Sequence, residues 1–175
     1  TGDLLAFSYF SFQAPYVHYI RIGADGKLKQ LDPIDVPNMV MMHDFSVTEK
    51  NVIFMDLPLQ FDLGEIASGI PFKFNRDAGA RLGVMPRNGR GNDTRWFEID
   101  PCYVFHPLNA YDAADGTVVV DLCRYDNLMV DDRQGPFAEA PPTLDRWVID
   151  PSTRRVSETR ISDRPQEFPR HNPRF

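Results

Sequence analysis

Four histidines, His18, His43, His106 and His171, are the side chains here best suited to bind a metal or move a proton near neutral pH. Two of them share a setting. His43 lies in "VMMHDF" and His106 in "YVFHPLNAY", each among aromatic or methionine neighbours in a run that reads as the middle of an inner strand. A buried imidazole needs both ring nitrogens satisfied. A metal on one nitrogen and a carboxylate or carbonyl on the other meets that need, which is the usual arrangement of a ligating histidine. Backbone carbonyls do the same for a purely structural core histidine. Spacing does not choose between these readings, because there is no HExxH or CxxC motif and the two histidines lie far apart on separate strands. Side chains alternate along a strand, so Asp44 is expected to face away from whatever His43 faces.

The elements that must carry these residues are strands. "LLAFSYFSF" (4–12), "YVHYIRI" (16–22), "MVMMHDFSV" (39–47) and "NVIFMDL" (51–57) are short apolar or alternating runs rich in aromatic and β-branched residues. "ARLGVMP" (80–86), "RWFEI" (95–99), "YVFHPL" (103–108), "TVVVDLC" (117–123), "LDRWVID" (144–150) and "RRVSETRI" (154–161) continue the series. Turn signals such as "GADGK", "TEKN", "RNGRGND", "AADGT" and "DPST" separate them, and "WVIDPSTRRVSETR" reads as a hairpin. No segment keeps a 3.6-residue apolar period, although 63–70 suits a short helical turn. Fifteen prolines further disfavour long helices. The reading is an all-β chain: a sandwich, a barrel or part of a propeller. Residues 127–143 form a long Pro/Gly-rich stretch, expected to be a surface excursion or a cavity lid.

Composition narrows the function. The chain has 175 residues, 42% of them hydrophobic, enough for one domain with a real core. A net charge of −6 with scattered cations argues against a nucleic-acid partner, and the arginines of 87–95 read as solvated loop. Two cysteines, Cys102 and Cys123, are too few for a disulfide framework and suggest buried thiols in a reducing compartment, taken as the cytoplasm. No apolar run approaches the roughly 18 residues of a membrane span. The N-terminus has no signal-peptide pattern and no initiator Met, so the chain reads as a segment of something longer.

Three stretches carry a family resemblance. "MMHDFSVTEKNVIFMDLPLQFD" (41–62), "FHPLNAYDAADGTVVVDLCRYDN" (105–127) and "EFPRHNPRF" (167–175) resemble, in the same order, motifs of the carotenoid cleavage oxygenases, which include lignostilbene dioxygenases and the retinoid isomerohydrolase. The resemblance covers essentially the whole chain. It implies about three blades of a seven-bladed β-propeller, at roughly 40–50 residues per blade, with Fe(2+) held on the axis by four histidines. By motif match His43 and His106 are the second and third of those metal ligands, and Glu167 is the carboxylate that accepts a hydrogen bond from His106. The other two ligands are expected outside this segment. Phe45 and Phe105 are expected near a substrate cavity, with core packing at least as good an account of both. His18 and His171 match no ligand motif and read as structural or exposed. Asn109 reads as a turn cap, Tyr111 as a packed ring with a bonded hydroxyl, and Asp56 and Asp62 as turn formers.

The implied activity is cleavage of a C=C bond in an apocarotenoid or stilbene-type substrate, using O2 and giving two carbonyls. Neutral imidazoles leave the metal its full 2+ charge, which favours the ferrous state and suits open positions for O2. The implied partners are a hydrophobic or aromatic small molecule, O2 and the remainder of the same polypeptide, with peripheral membrane contact by the complete protein also compatible. Two alternatives stand beside this reading: isomerisation or hydrolysis at the same iron, and a non-catalytic propeller segment. With two of four ligands, the isolated chain is expected to bind iron weakly or not at all and to be inactive alone.

Overall fold

The computed structural model describes residues 2–9, 11–128, 140–170 and 172, and the chain it shows is all-β. Among the described residues, thirteen strands form three main antiparallel sheets and a small hairpin. The first sheet is a meander of β1 (Leu4–Ser8), β2 (Val17–Ile22) and β3 (Leu28–Ile34). The second has the order β4 (Ser46–Val47), β5 (Asn51–Asp56), β8 (Ala80–Pro86), β9 (Arg95–Ile99). The hairpin of β6 (Leu59–Phe61) and β7 (Phe72–Phe74) is inserted between β5 and β8. The third sheet is again a meander, β10 (Tyr103–Asp112), β11 (Val118–Tyr125), β12 (Thr143–Asp150) and β13 (Arg155–Ser162).

The second sheet is packed on both faces, and strand parity shows how. Val52, Phe54 and Met85 point into a core shared with Val17, Tyr19 and Ile34 of the first sheet. Ile53, Met55, Leu82 and Val84 point the other way, into a core shared with Val120, Leu122 and Trp147 of the third. That explains why "VIFM" is continuously apolar rather than alternating. Three sheets therefore lie face to face in chain order. β13, at the edge of the third, is largely exposed and polar, which blunts a strand edge.

Strand expectations hold closely at β8, β9 and the β12–β13 hairpin, whose turn is built by the Asp150 carboxylate accepting from the backbone N–H and hydroxyl of both Ser152 and Thr153. The "GADGK" and "AADGT" turns share one geometry: an Asp side chain accepts the N–H two residues on, and Gly26 and Gly116 take positive φ. The Leu63–Ser68 segment is a 3-10 helix capped by Asp62 and closed by Gly69 in the left-handed region.

Three strands were not legible. β3 carries Pro33 and three polar side chains, yet Gln30 and Asp32 are buried because loop 87–93 satisfies them. Gln30 donates to the Gly89 carbonyl, and Asp32 accepts from Arg90 and the Gly91 N–H. That loop is thus a fastener as well as a solvated turn, and a Cβ at Gly91 would run into the Pro33 carbonyl oxygen. β6 and β7 are only three residues each, too short for a period to show. At the N-terminus, strand structure stops at Ser8 rather than running to residue 12. Asp56 is not a turn former; it is buried at the end of β5 and paired with Arg81 at 2.7 Å. Asn109 caps no turn and sits within β10 opposite Asp121. Tyr111, 40% exposed, is not a packed ring. The stretch 127–143, read as an excursion or lid, lies outside the described residues over 129–139, as does His171.

Candidate functional site

β10 does not run as a regular strand past His106. Tyr103 and Val104 pair with Tyr125 and Arg124, but the register then shifts twice, before Pro107 and again before Asn109. Pro107 has no N–H to give a ladder, which suits it to an irregularity. Each shift places an extra residue on β10, and such bulges re-aim side chains. His106 lies inside this irregular stretch, half-buried, with its ring directed by a carboxylate. Its Nδ1 is 2.6 Å from Glu167 Oε2. A carboxylate oxygen accepts, so Nδ1 is the donor in this contact and Nε2 is the ring nitrogen left facing away from Glu167. The same Glu167 oxygen accepts the Phe168 N–H at 2.8 Å. Tyr125 is fully buried; that burial, then the neighbouring Glu167 carboxylate, pushes its phenol pKa well up. Phe168 takes a positive φ of 51° and lays its ring 4.5 Å from that of His106.

His43 reaches the same place differently. The sequence suggested a buried histidine in mid-strand, and the structure corrects both points. Residues 39–41 pair with 59–61 through Met41 N–H to the Leu59 carbonyl and Phe61 N–H to the Met39 carbonyl. The chain then leaves the ladder until β4 begins at Ser46. Met42 turns inward, 1% exposed, and His43 turns outward and is exposed. Strand alternation therefore says nothing about Asp44, whose carboxylate accepts the adjacent Phe45 N–H at 2.7 Å.

The rings of His43 and His106, 63 positions apart in sequence, meet edge-to-face with centroids 5.1 Å apart and planes at 88°. Phe105 packs edge-on against His43 at 5.2 Å and rests on Tyr103 and Tyr125 at 4.8 and 5.5 Å. Partial desolvation, then the neighbouring His106 ring, holds the His43 pKa below its ordinary value, so the imidazole is neutral at pH 7. Two imidazoles side by side, one backed by a carboxylate, are a donor set suited to a first-row transition metal. Among the described residues no group of three or more His, Cys, Asp or Glu is arranged to hold a metal.

The structure thus brings together His43, His106, Glu167 and Phe105. It does not bring Phe45, which packs between Phe7 and Phe54, with centroids 5.1 and 6.2 Å away, against the core of the first two sheets. His18 is half-buried in β2, opposite Ser8 and Pro33, away from the pair. Cys102 and Cys123 are free and fully buried, and burial pushes their thiols up to about 12 and about 11. Sequence reasoning missed Tyr103, Tyr125 and Phe168. Phe168 follows Glu167 directly, but nothing in the residue types announces its left-handed backbone.

The chain is similar to known proteins over nearly its whole length. The sequence model of the retinal pigment epithelial membrane protein family matches residues 1–175. A carotenoid cleavage oxygenase of Mycobacterium tuberculosis is 37% identical over 98% of this chain and 43% of its own length. A carotenoid 9,10(9',10')-cleavage dioxygenase of Crocus sativus is 35% identical over 98% of this chain and 32% of its own length. The chain therefore spans less than half of these curated relatives. The crystal structure of Pseudomonas brassicacearum lignostilbene dioxygenase superposes with a TM-score of 0.79 at 33% identity, over 97% of this chain and 38% of that one. With a family match over residues 1–175 and relatives named as a carotenoid cleavage oxygenase, a carotenoid cleavage dioxygenase and a lignostilbene dioxygenase, the chain belongs to the carotenoid cleavage oxygenase family.

Proposed function

We propose that this chain supplies half of the iron site of a dioxygenase that cleaves a C=C bond in an apocarotenoid or stilbene-type substrate. In this reading the stacked sheets are consecutive blades of a seven-bladed propeller, and the rest of the polypeptide provides the remaining histidines. The observation that carries the proposal is the meeting of His43 and His106 at 5.1 Å, with His106 Nδ1 tied to Glu167.

His43 and His106 would hold Fe(2+), which when bound supplies the uptake and activation of O2 beside the substrate. The chain's own residues prepare for it. Glu167 fixes the His106 tautomer and makes Nε2 a better donor. The depressed pKa of His43 keeps protons from competing at neutral pH. Phe105 and the exposed Phe168 ring border the imidazoles with apolar surface, suited to orienting a conjugated or aromatic molecule and excluding water.

The test uses the complete polypeptide, loaded anaerobically with ferrous iron and given a hydroxystilbene or an apocarotenoid under 18O2. Label in both carbonyl products is the expected result. Label in neither, with an isomerised or hydrolysed product, would replace the oxygenase reading. Stoichiometric iron retained by His43→Ala would remove His43 from the site.

A further inference from the structure

Between residue 41 and β4 no ladder holds the segment that carries His43, yet its ring stops beside that of His106. Two groups on β10 account for this. Tyr103, 1% exposed, donates its hydroxyl to the Met41 carbonyl at 2.8 Å, two residues before His43. Its ring also supports Phe105, which packs on His43. At the far end of the strand, Asp112 accepts from Thr48 Oγ1 at 2.9 Å, from the Lys50 N–H at 2.9 Å and from Asn51 Nδ2 at 2.7 Å. The strand that bears His106 therefore grips the His43 segment before and after the histidine.

We propose that Tyr103 and Asp112 are positioning residues that set the His43 imidazole at its distance from His106, with Tyr103 the stronger grip. The proposal deepens the functional reading above and rests on His43 and His106 forming one site. Burial decides the ranking. The Tyr103 bond is shielded from competing water, and without the hydroxyl the Met41 carbonyl loses its partner. Asp112 acts on a solvated turn and spreads its effect over three donors.

The experiment is NMR on the full 175-residue chain without metal, so it does not depend on whether this chain retains iron. Tyr103→Phe keeps the ring and removes only the hydroxyl. It is expected to weaken the cross-peaks of the His43 ring to Phe105 and His106, and to speed amide exchange at His43 and Asp44 about tenfold, the size of one net hydrogen bond. Amides of β11 should not change. Tyr19→Phe makes the same deletion in the other core, where the hydroxyl is 3.4 Å from the Arg87 carbonyl, and is expected to leave His43 untouched. Asp112→Asn should speed exchange at Lys50 and Asn51 and move the His43 ring signals less than Tyr103→Phe. Unchanged His43 contacts and exchange in Tyr103→Phe would overturn the proposal, as would an equal change in Tyr19→Phe. If Tyr103→Phe does not fold, Asp112→Asn decides, and unchanged His43 signals there overturn it. A complete polypeptide that binds no iron would defeat the functional reading and leave this result standing.

Discussion

His106 and His43 arrive at one point by opposite means. His106 rides on a strand of a four-stranded sheet, is aimed by bulges and is held through Nδ1 by a largely buried carboxylate. His43 rides on a segment between ladders, is exposed, and has no hydrogen bond to its ring from any described residue. One imidazole is set by its own sheet; the other borrows its position from that sheet through Tyr103, Phe105 and Asp112. The difference shows that a site built from two sheets needs only one rigid member, provided the second is tied to it.

The comparison can be broken most completely at the imidazoles themselves. In the complete protein, His106→Ala or His43→Ala should abolish iron retention and turnover, measured by metal analysis after desalting. Equal loss from both would show that rigidity and necessity are separate properties. Leu122→Ala comes next. It opens a cavity in the fully buried centre of β11, opposite Pro107, and should cost about 2–5 kcal/mol of stability in urea unfolding. It should disturb His106 before His43. Glu167→Ala strikes only the rigid member and should weaken metal affinity roughly 10–100-fold, with Glu167→Gln losing less because it can still accept from Nδ1. The smallest effect belongs to the borrowed member. His43 protonates near 6.5 in the unfolded chain and only at lower pH when folded, so between those values the unfolded state binds more protons. Its contribution is complete above about pH 6.5 and is lost as pH falls. His43→Asn should therefore flatten the decline in Tm between pH 7 and 5, and an unchanged slope would contradict it.

Much of the fold could be read from residue types, because strands packed on both faces, such as β5, and hairpins with Asp turns leave local signatures. β3 could not, because Gln30 and Asp32 are buried only by virtue of a loop nearly sixty residues away. At the site, His106 and Glu167 were legible through family motifs, and the structure finds them bonded. The error at His43 has a physical cause. "MVMMHDFSV" has strand composition throughout, but its backbone partners end at residue 41 and resume at 46, and composition does not record where a partner strand stops. Tyr103 was passed over for the converse reason: a buried tyrosine looks like core until its hydroxyl acceptor is known.

The paired irregularity in β10 has one further consequence. A single added residue exchanges the two faces of a strand, and a second exchanges them back. Tyr103–Val104 and Asn109–Asp112 therefore remain in phase, and only the four residues between them, Phe105 to Leu108, are out of step. Two single deletions in that stretch would be tolerated better together than either alone. One would turn half of the strand inside out, whereas both would yield an ordinary strand with an intact core and no place for His106 to point.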